Sequence, residues 1–314
     1  MRFWLTMQYR LLSLLRQQDA PVSGEGLGRT LGVSRVAVWK HITELRTLGY
    51  DIAATARGYR LRSRPDLLLP GEFPGWEDRV QHYYEIDSTM RAARELARQG
   101  APEGTLVTAE IQTGGRGRLE RPWTSPPGGV YMTVVTRPGA AVAMAPRVNF
   151  IAAVAVSVAV NQLLGVPARV KWPNDVLVHG KKLCGILAEM EAEMDAVRFV
   201  NVGIGLNANS HVSHLGVGAV SLMEFVGHPV DRKAIARAVI EGVLARVPSL
   251  DESRVLDEWR EWAYTLGREV VISGRNEVVQ GTAIDIDDFG ALIVRRTDGS
   301  LTSVVAGDCV HRVN

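Results

Sequence analysis

The apolar residues of this chain recur mainly at helical spacing up to about residue 48, close with a short strand pair by about residue 62, and from Val80 onward change to alternating strands and helices, a pattern of more than one packed unit. In the first stretch, residues 8–18 and Ser23 to Leu31 read as helices. Gly32-Val33-Ser34 reads as a turn, with Ser34 placed to cap a third helix from Arg35 to about Leu48. Val38, Ile42 and Leu45 recur at helical spacing and are expected to face inward, leaving Arg35, Val36, Trp39 and Lys40 toward the other side. Gly26 and Gly28 each weaken the second helix by roughly 1 kcal/mol, so tertiary packing must hold it. Two short strands within Ile52 to Leu61, around Arg57-Gly58, complete the winged helix-turn-helix pattern.

Charge follows the same division. The whole chain is only +2, but residues 1–62 hold ten Lys/Arg against four Asp/Glu, a local +6 that leaves −4 for the other 252 residues. A basic module on a mildly acidic body points to a polyanionic partner at that end. Pro65 to Pro74, with three leucines and three prolines, reads as a linker or connecting segment. From Val80 strands and helices alternate; Ser88 to Gln99 reads as a helix capped by Ser88, and Asn149 to Leu164 as an uncharged helix expected to be buried on most faces. From Glu269 only short strands separated by turn signals remain, the pattern of a small β-barrel of SH3 type. The expected class is therefore α+β: a winged helix-turn-helix over 1–64, a mixed α/β body over 65–266 and an SH3-like domain over 267–314.

Cys184 and Cys309 show no metal or redox spacing and read as reduced core thiols. The longest apolar run, Phe150 to Val160, is too short to span a bilayer, and the opening residues lack a signal-peptide cleavage site. No membrane role and a soluble cytoplasmic protein are expected.

Two segments carry chemistry. The loop Gln112 to Trp123 contains Gly114-Gly115-Arg116-Gly117-Arg118 and then Arg121, and ordering so flexible a stretch is entropically costly without a ligand. Its fork-shaped donors and backbone N–H groups suit closure over anions; a solvated basic loop or a nucleic-acid contact is the alternative. Lys171-Trp172-Pro173-Asn174-Asp175 puts a lysine among apolar neighbours at a strand end that Pro173 stops. A partly buried lysine needs an anion, either Asp175 or a reacting phosphoryl group. Lys181-Lys182 follow a hairpin turn at His179-Gly180, and alternation lets one of the pair point into a site. Gly203-Ile204-Gly205-Leu206-Asn207 lacks the third glycine of a dinucleotide fingerprint, so its glycines read as close backbone packing. No Walker A lysine motif, zincin helix or nucleophile elbow occurs.

These segments in this order resemble the biotin protein ligase family, in the bifunctional form that is also the biotin operon repressor. The resemblance covers the winged helix, Asp87-Ser88-Thr89, Gln112 to Trp123, Lys171 to Asp175, Lys182 to Leu187, Gly203 to Asn207 and the closing barrel. It implies a central domain of the class II synthetase/biotin ligase type and a two-step reaction. Biotin's carboxylate attacks the α-phosphate of Mg²⁺-ATP, and a lysine of a biotin carboxyl carrier protein then attacks the biotinyl-5′-AMP. It further implies that Ser88, Thr89, Met90, Gln112, Gly115, Arg116, Gly117 and Arg118 hold biotin or its adenylate. Lys182 would contact the biotinyl carbonyl, and Lys171, with Arg118 and Lys182, would form the catalytic set. Trp123 would stack on adenine, and Asn174, Asp175 and Asn207 would order the nucleotide and its metal. Arg35, Val36, Trp39 and Lys40 would enter the major groove of operator DNA, with a homodimer forming when adenylate is bound. In one place the chain departs from the family: the loop there continues arginine-glycine, whereas Leu119 and Glu120 stand here. A ligase with a merely structural winged helix, a purely sensory repressor and a lipoate ligase are the rival readings.

Overall fold

The computed structural model describes residues 2–193, 196–212, 218–274 and 277–312, and the chain divides between His82 and Tyr83 into two compact units. In the first unit, α1 (Arg2–Arg16), α2 (Gly24–Leu31) and α3 (Arg35–Thr47) precede a two-stranded antiparallel wing, β1 (Asp51–Thr55) and β2 (Gly58–Ser63). Ser23 and Ser34 cap α2 and α3, their hydroxyls accepting from Gly26 N and Ala37 N. Leu11, Leu12, Leu15, Leu27, Val38, Ile42 and Leu45 form the core of this unit. Gly28 costs α2 some helix propensity, and packing explains why it is there: a Cβ would lie 2.6 Å from the Val33 carbonyl oxygen. Gly58, at φ 128°, is likewise required, since a Cβ there would meet Val22 O at 2.0 Å.

The stretch expected to be a linker is instead packed. Leu68, Leu69 and Phe73 are buried, with 3₁₀ turns at Pro70–Glu72 and Glu77–Arg79. Three consecutive leucines left in water would forfeit roughly 1.5–3 kcal/mol each, which favours folding them in. Glu72 is buried with them and is tolerated because Arg16 (2.5 Å), Arg64 (3.1 Å) and the Tyr50 hydroxyl (2.8 Å) all donate to its carboxylate.

The second unit is built on a seven-stranded sheet in the order β3-β4-β5-β9-β8-β7-β6, antiparallel from β4 through to β6. Its strands are β3 (Val80–Ile86), β4 (Leu106–Gln112), β5 (Val130–Thr136), β6 (Ala168–Lys171), β7 (Asp175–Val178), β8 (Lys181–Glu193) and β9 (Ala196–Leu206). Helix α4 (Thr89–Arg98) packs on β4, β5 and β9, while α5 (Arg147–Leu164) packs on β6 to β9. The short α6 (Leu222–Val226) is closed by a capping box of Ser221 and Glu224. Two further helices, α7 (Arg232–Arg246) and α8 (Arg254–Trp262), cover α5. The stretch Val142–Leu164 is apolar and long enough to pass for a membrane span, but most of it is buried in this packing. Helix α5 begins two residues earlier than its uncharged run suggests. Arg147 is buried at its start and donates to the carbonyls of Asp288, Leu250 and Glu252.

The chain closes with β10 (Glu269–Ser273), β11 (Val278–Ile286), β12 (Leu292–Arg295), β13 (Leu301–Val304) and β14 (Asp308–His311). They form an antiparallel sheet in the order β13-β12-β11-β10-β14, compatible with an SH3-like domain. The sheet is open rather than a closed barrel, with no pairing between β13 and β14 among the described residues. Trp172 ties it to the larger sheet: its indole N–H donates to Gly290 O (3.0 Å) and its backbone N–H to Thr265 Oγ1 (3.0 Å).

Candidate active site

A cleft of about 430 Å³ opens in the second unit, walled by the start of α4, the loop after β4, the β6–β7 turn, the middle of β8 and β9, and the segment leading into β14. Its lining is polar at one end, apolar in the middle and cationic at the other.

At the polar end, Thr89 directs both its backbone N–H (2.9 Å) and its hydroxyl (3.0 Å) to the Gln112 side-chain oxygen. The Gln112 amide nitrogen donates to Ser125 Oγ (3.0 Å), and the Thr133 hydroxyl reaches Thr89 Oγ1 at 2.9 Å. Ser88 occupies the N-cap position of α4 without a side-chain cap bond, contrary to the capping expected from its place in the sequence. Thr89 and Gln112 together satisfy the helix start instead. This end presents both donors and acceptors in a fixed array, suited to a small neutral group with both functions.

The middle is a glycine platform. Gly185 and Gly205 are register partners on β8 and β9, and the Trp123 indole lies against them. A Cβ on Gly205 would sit 2.5 Å from Trp123 Nε1, and one on Gly185 would sit 3.0 Å from its ring. The ammonium of Lys182 stands 5.2 Å from the centre of the same ring. Gly203 plays the same part for Met90, whose methyl would be 2.7 Å from a Cβ there. The glycines read from sequence as close-packing residues thus make room for an aromatic and a thioether.

At the cationic end, Asp175 is shared by two lysines. Lys182 Nζ is 2.7 Å from one carboxylate oxygen and Lys171 Nζ is 3.9 Å from the other. Lys171, 22% exposed at its side chain, therefore keeps most of its hydrogen-bonding capacity for something else. It also bears on its neighbours: burial first, then the Lys171 charge, pushes His311 down to about 4. Burial pushes the Cys309 thiol up to about 11, and Cys184 is raised by burial too. Both cysteines are free and buried, as expected of core thiols.

The arginine loop closes this end. Arg118 Nη1 donates to Gly307 O (3.3 Å) and Asn174 Oδ1 (3.4 Å), and burial pulls the proton affinity of its guanidinium down. Arg116 pairs with Glu120, and Arg121 with Asp308. Leu119 and Glu120 both adopt left-handed backbone, at φ 55° and 58°. Residues other than glycine seldom adopt this backbone, so the surroundings must hold the loop in this form.

Of the residues singled out from sequence, Ser88, Thr89, Met90, Gln112, Arg116, Gly117, Arg118, Trp123, Lys171, Asn174, Asp175 and Lys182 line this one cleft. Gly115 lies behind it, where its carbonyl accepts from Trp123 N (2.9 Å) and a Cβ would strike Trp123 O. Asn207 is 5% exposed and stands outside the cleft lining, its amide donating to the carbonyls of Val220 (3.2 Å) and Lys182 (3.5 Å). Sequence reasoning missed Thr133 and Leu187, which alternation on a buried strand could have suggested, and Gly307 to Val310, which carry no local signal. In the first unit, Val36 (74%) and Trp39 (55%) are exposed on α3 beside exposed Arg35 and Lys40, while Val38, Ile42 and Leu45 face the core.

Comparison with known proteins follows these divisions. Residues 83–207 match the biotin/lipoate A/B protein ligase family, residues 8–60 an HTH domain, and residues 265–312 the biotin protein ligase C-terminal domain. The bifunctional ligase/repressor BirA of Bacillus subtilis is 38% identical over 94% of this chain and 95% of its own length. The Escherichia coli protein of the same name is 30% identical, over 96% of each. A solved structure, the biotin protein ligase from Aquifex aeolicus in complex with biotin and ATP, aligns with TM-score 0.62 at 26% identity, covering 75% of this chain and 99% of that one.

Proposed function

The chain belongs to the biotin protein ligase family, and from that premise we propose that it is an ATP-dependent biotin protein ligase that also acts as a biotin-responsive transcriptional repressor. The observation that carries the ligase reading is a single cleft with a neutral donor–acceptor end, an apolar middle and three cations at the far end. Biotin has that order of groups: a ureido ring, an aliphatic chain and a carboxylate. A lipoyl group has no ureido counterpart for Thr89 and Gln112, which argues against the lipoate alternative.

In the first step a biotin carboxylate oxygen attacks the α-phosphorus of ATP, pyrophosphate leaves, and biotinyl-5′-AMP forms. Two anions must approach, and Lys171, Arg118 and Lys182 offset their repulsion. Lys171 is the transition-state cation; its loose 3.9 Å contact with Asp175 supports this, because charge building on the phosphoryl oxygens can compete for it. Lys182 is held at 2.7 Å by Asp175, in the manner of a group that orients the acyl carbonyl. In the second step the side-chain amine of a lysine on the biotin carboxyl carrier protein attacks the anhydride carbonyl, and AMP leaves. Until then the intermediate must be kept from water, which is the work of the loop ending at Trp123. Adenine stacking falls to Trp123.

Mg²⁺ is expected to arrive with the nucleotide. Among the described residues no cluster of three acidic, histidine or cysteine ligands exists, and a lone carboxylate beside an amide, Asp175 and Asn174, fits a metal held mainly by phosphates. When bound it would offset triphosphate charge. The exposed face of α3, Arg35, Val36, Trp39 and Lys40, is the operator-reading surface, and a homodimer forms when adenylate is bound. The division into domains 1–64, 65–266 and 267–314 and a cytoplasmic location belong to the same reading.

One incubation with biotin, Mg²⁺-ATP and a carrier domain tests the enzyme, with the carrier's mass and released pyrophosphate as readouts. Absence of both products would end the ligase reading. A gel shift on operator DNA with and without biotin and ATP tests the repressor: no specific complex would leave a ligase with a structural winged helix.

A further inference from the structure

The three loop arginines look alike in sequence but have different partners. Arg116 meets the carboxylate of Glu120 and Arg121 that of Asp308. Arg118, between them, has only the neutral oxygens of Gly307 and Asn174, and no carboxylate in ion-pair contact among the described residues. We infer that Arg116–Glu120 and Arg121–Asp308 are two straps that hold the loop closed, so that Glu120 and Arg116 are positioning residues and Arg118 alone delivers an unneutralised charge to the intermediate.

The backbone agrees with this division of labour. Gly117 N donates to Arg121 O (2.8 Å), and Arg121 N to Arg118 O (3.2 Å), so residues 117–121 form a tight turn with Arg118 at its head. Leu119 and Glu120 are left-handed in that turn, and in this conformation the Glu120 carboxylate meets Arg116. The side chains of Arg116 and Glu120 are 54% and 75% exposed, those of Arg121 and Asp308 62% and 34%. Such pairs are weak and salt-screened, suited to a strap that opens for product release but not to a permanent clamp. Glu120, which at first sight only removes positive charge from an anion-binding loop, thereby acquires a use. It compensates for the glycine missing at its own position.

The inference rests on the ligase reading, and one experiment separates the two. The full-length protein is charged with biotin and Mg²⁺-ATP, and escape of activated biotin is read by trapping with hydroxylamine, alongside pyrophosphate release. Glu120→Arg, which sets two cations against each other, is expected to raise escape about fivefold. The exchange Arg116→Glu with Glu120→Arg is expected to bring it back to within about twofold of the parent. Added salt should raise escape from the parent and the exchanged protein, but not further from Glu120→Arg. An exchanged protein as leaky as the single variant would overturn the inference and assign Arg116 a direct ligand contact. A parent protein that never releases pyrophosphate would instead sink the ligase reading itself. Circular dichroism melting checks that each variant folds; if Glu120→Arg fails to fold, Glu120→Gln replaces it, with a smaller rise in escape expected and unchanged escape counting against the strap.

Discussion

The two segments that bring cations to the cleft are built on opposite principles. Lys171 to Asp175 joins adjacent strands β6 and β7 and is pinned by buried Trp172, whose two N–H groups are both bonded at 3.0 Å. The arginine loop rests on two left-handed residues and two exposed ion pairs, each worth at most about 1 kcal/mol. A transition-state cation must not move as charge develops, because reorganisation would consume the stabilisation it offers. A cover over a reactive anhydride has to open for each substrate and product, so a marginal closed state serves it better.

Four measurements put this contrast to the test. The largest effect is expected from Lys171→Ala: adenylate formation should fall by roughly 10²–10³, the usual cost of losing one preorganised charge, with biotin binding changed only a few-fold. Parallel losses in rate and binding would mean that Lys171 merely holds substrate. Arg118→Gly should act on the other side of the contrast, raising escape of activated biotin about tenfold, equivalent to one charge-assisted hydrogen bond. Background-level labelling of unrelated lysines would deny the loop its retaining role.

Gly205→Val tests the seam between loop and sheet. A side chain there collides with Trp123, and overpacking should cost about 1–3 kcal/mol in stability while weakening ATP binding, both readable in one ligand-dependent melting series. Unchanged ATP affinity would remove Trp123 from the nucleotide site. The smallest effect concerns His311, beside the lysine turn. Folding lowers its pKa from 6.5 to about 4, so in that interval the unfolded chain binds more protons. Stability from this group is complete above pH 6.5 and declines as pH falls toward 4. His311→Gln should flatten that part of the pH–stability curve; an unaltered slope would show that His311 does not titrate there.

Much of the molecule was legible because it depends on neighbours close in the chain. Ser23 and Ser34 cap helices by accepting from N–H groups three residues on, and Val38, Ile42 and Leu45 repeat at helical spacing; both facts are local. The same locality misled at Ser88, where a cap was expected but Gln112, 23 residues away from Thr89, supplies the bond. It misled again at Leu67 to Leu69, where flanking prolines suggested a tether but apolar area decided for burial. Asn207 ends a strand of the right kind, yet its amide is taken up by main-chain carbonyls that only the folded sheet brings near.

By itself, then, the order of residues determined which segments are helix, strand or glycine loop, and which side chains could bear charge, since these follow from spacing and backbone freedom. It could not decide which of three arginines stays unneutralised. That depends on Asp308, 187 residues beyond Arg121, and on Gly307 beside it, which only the packing of the C-terminal sheet brings to the cleft. A charge's effect depends on what surrounds it within a few ångströms, and for residues so far apart in the chain those neighbours are chosen by the tertiary fold.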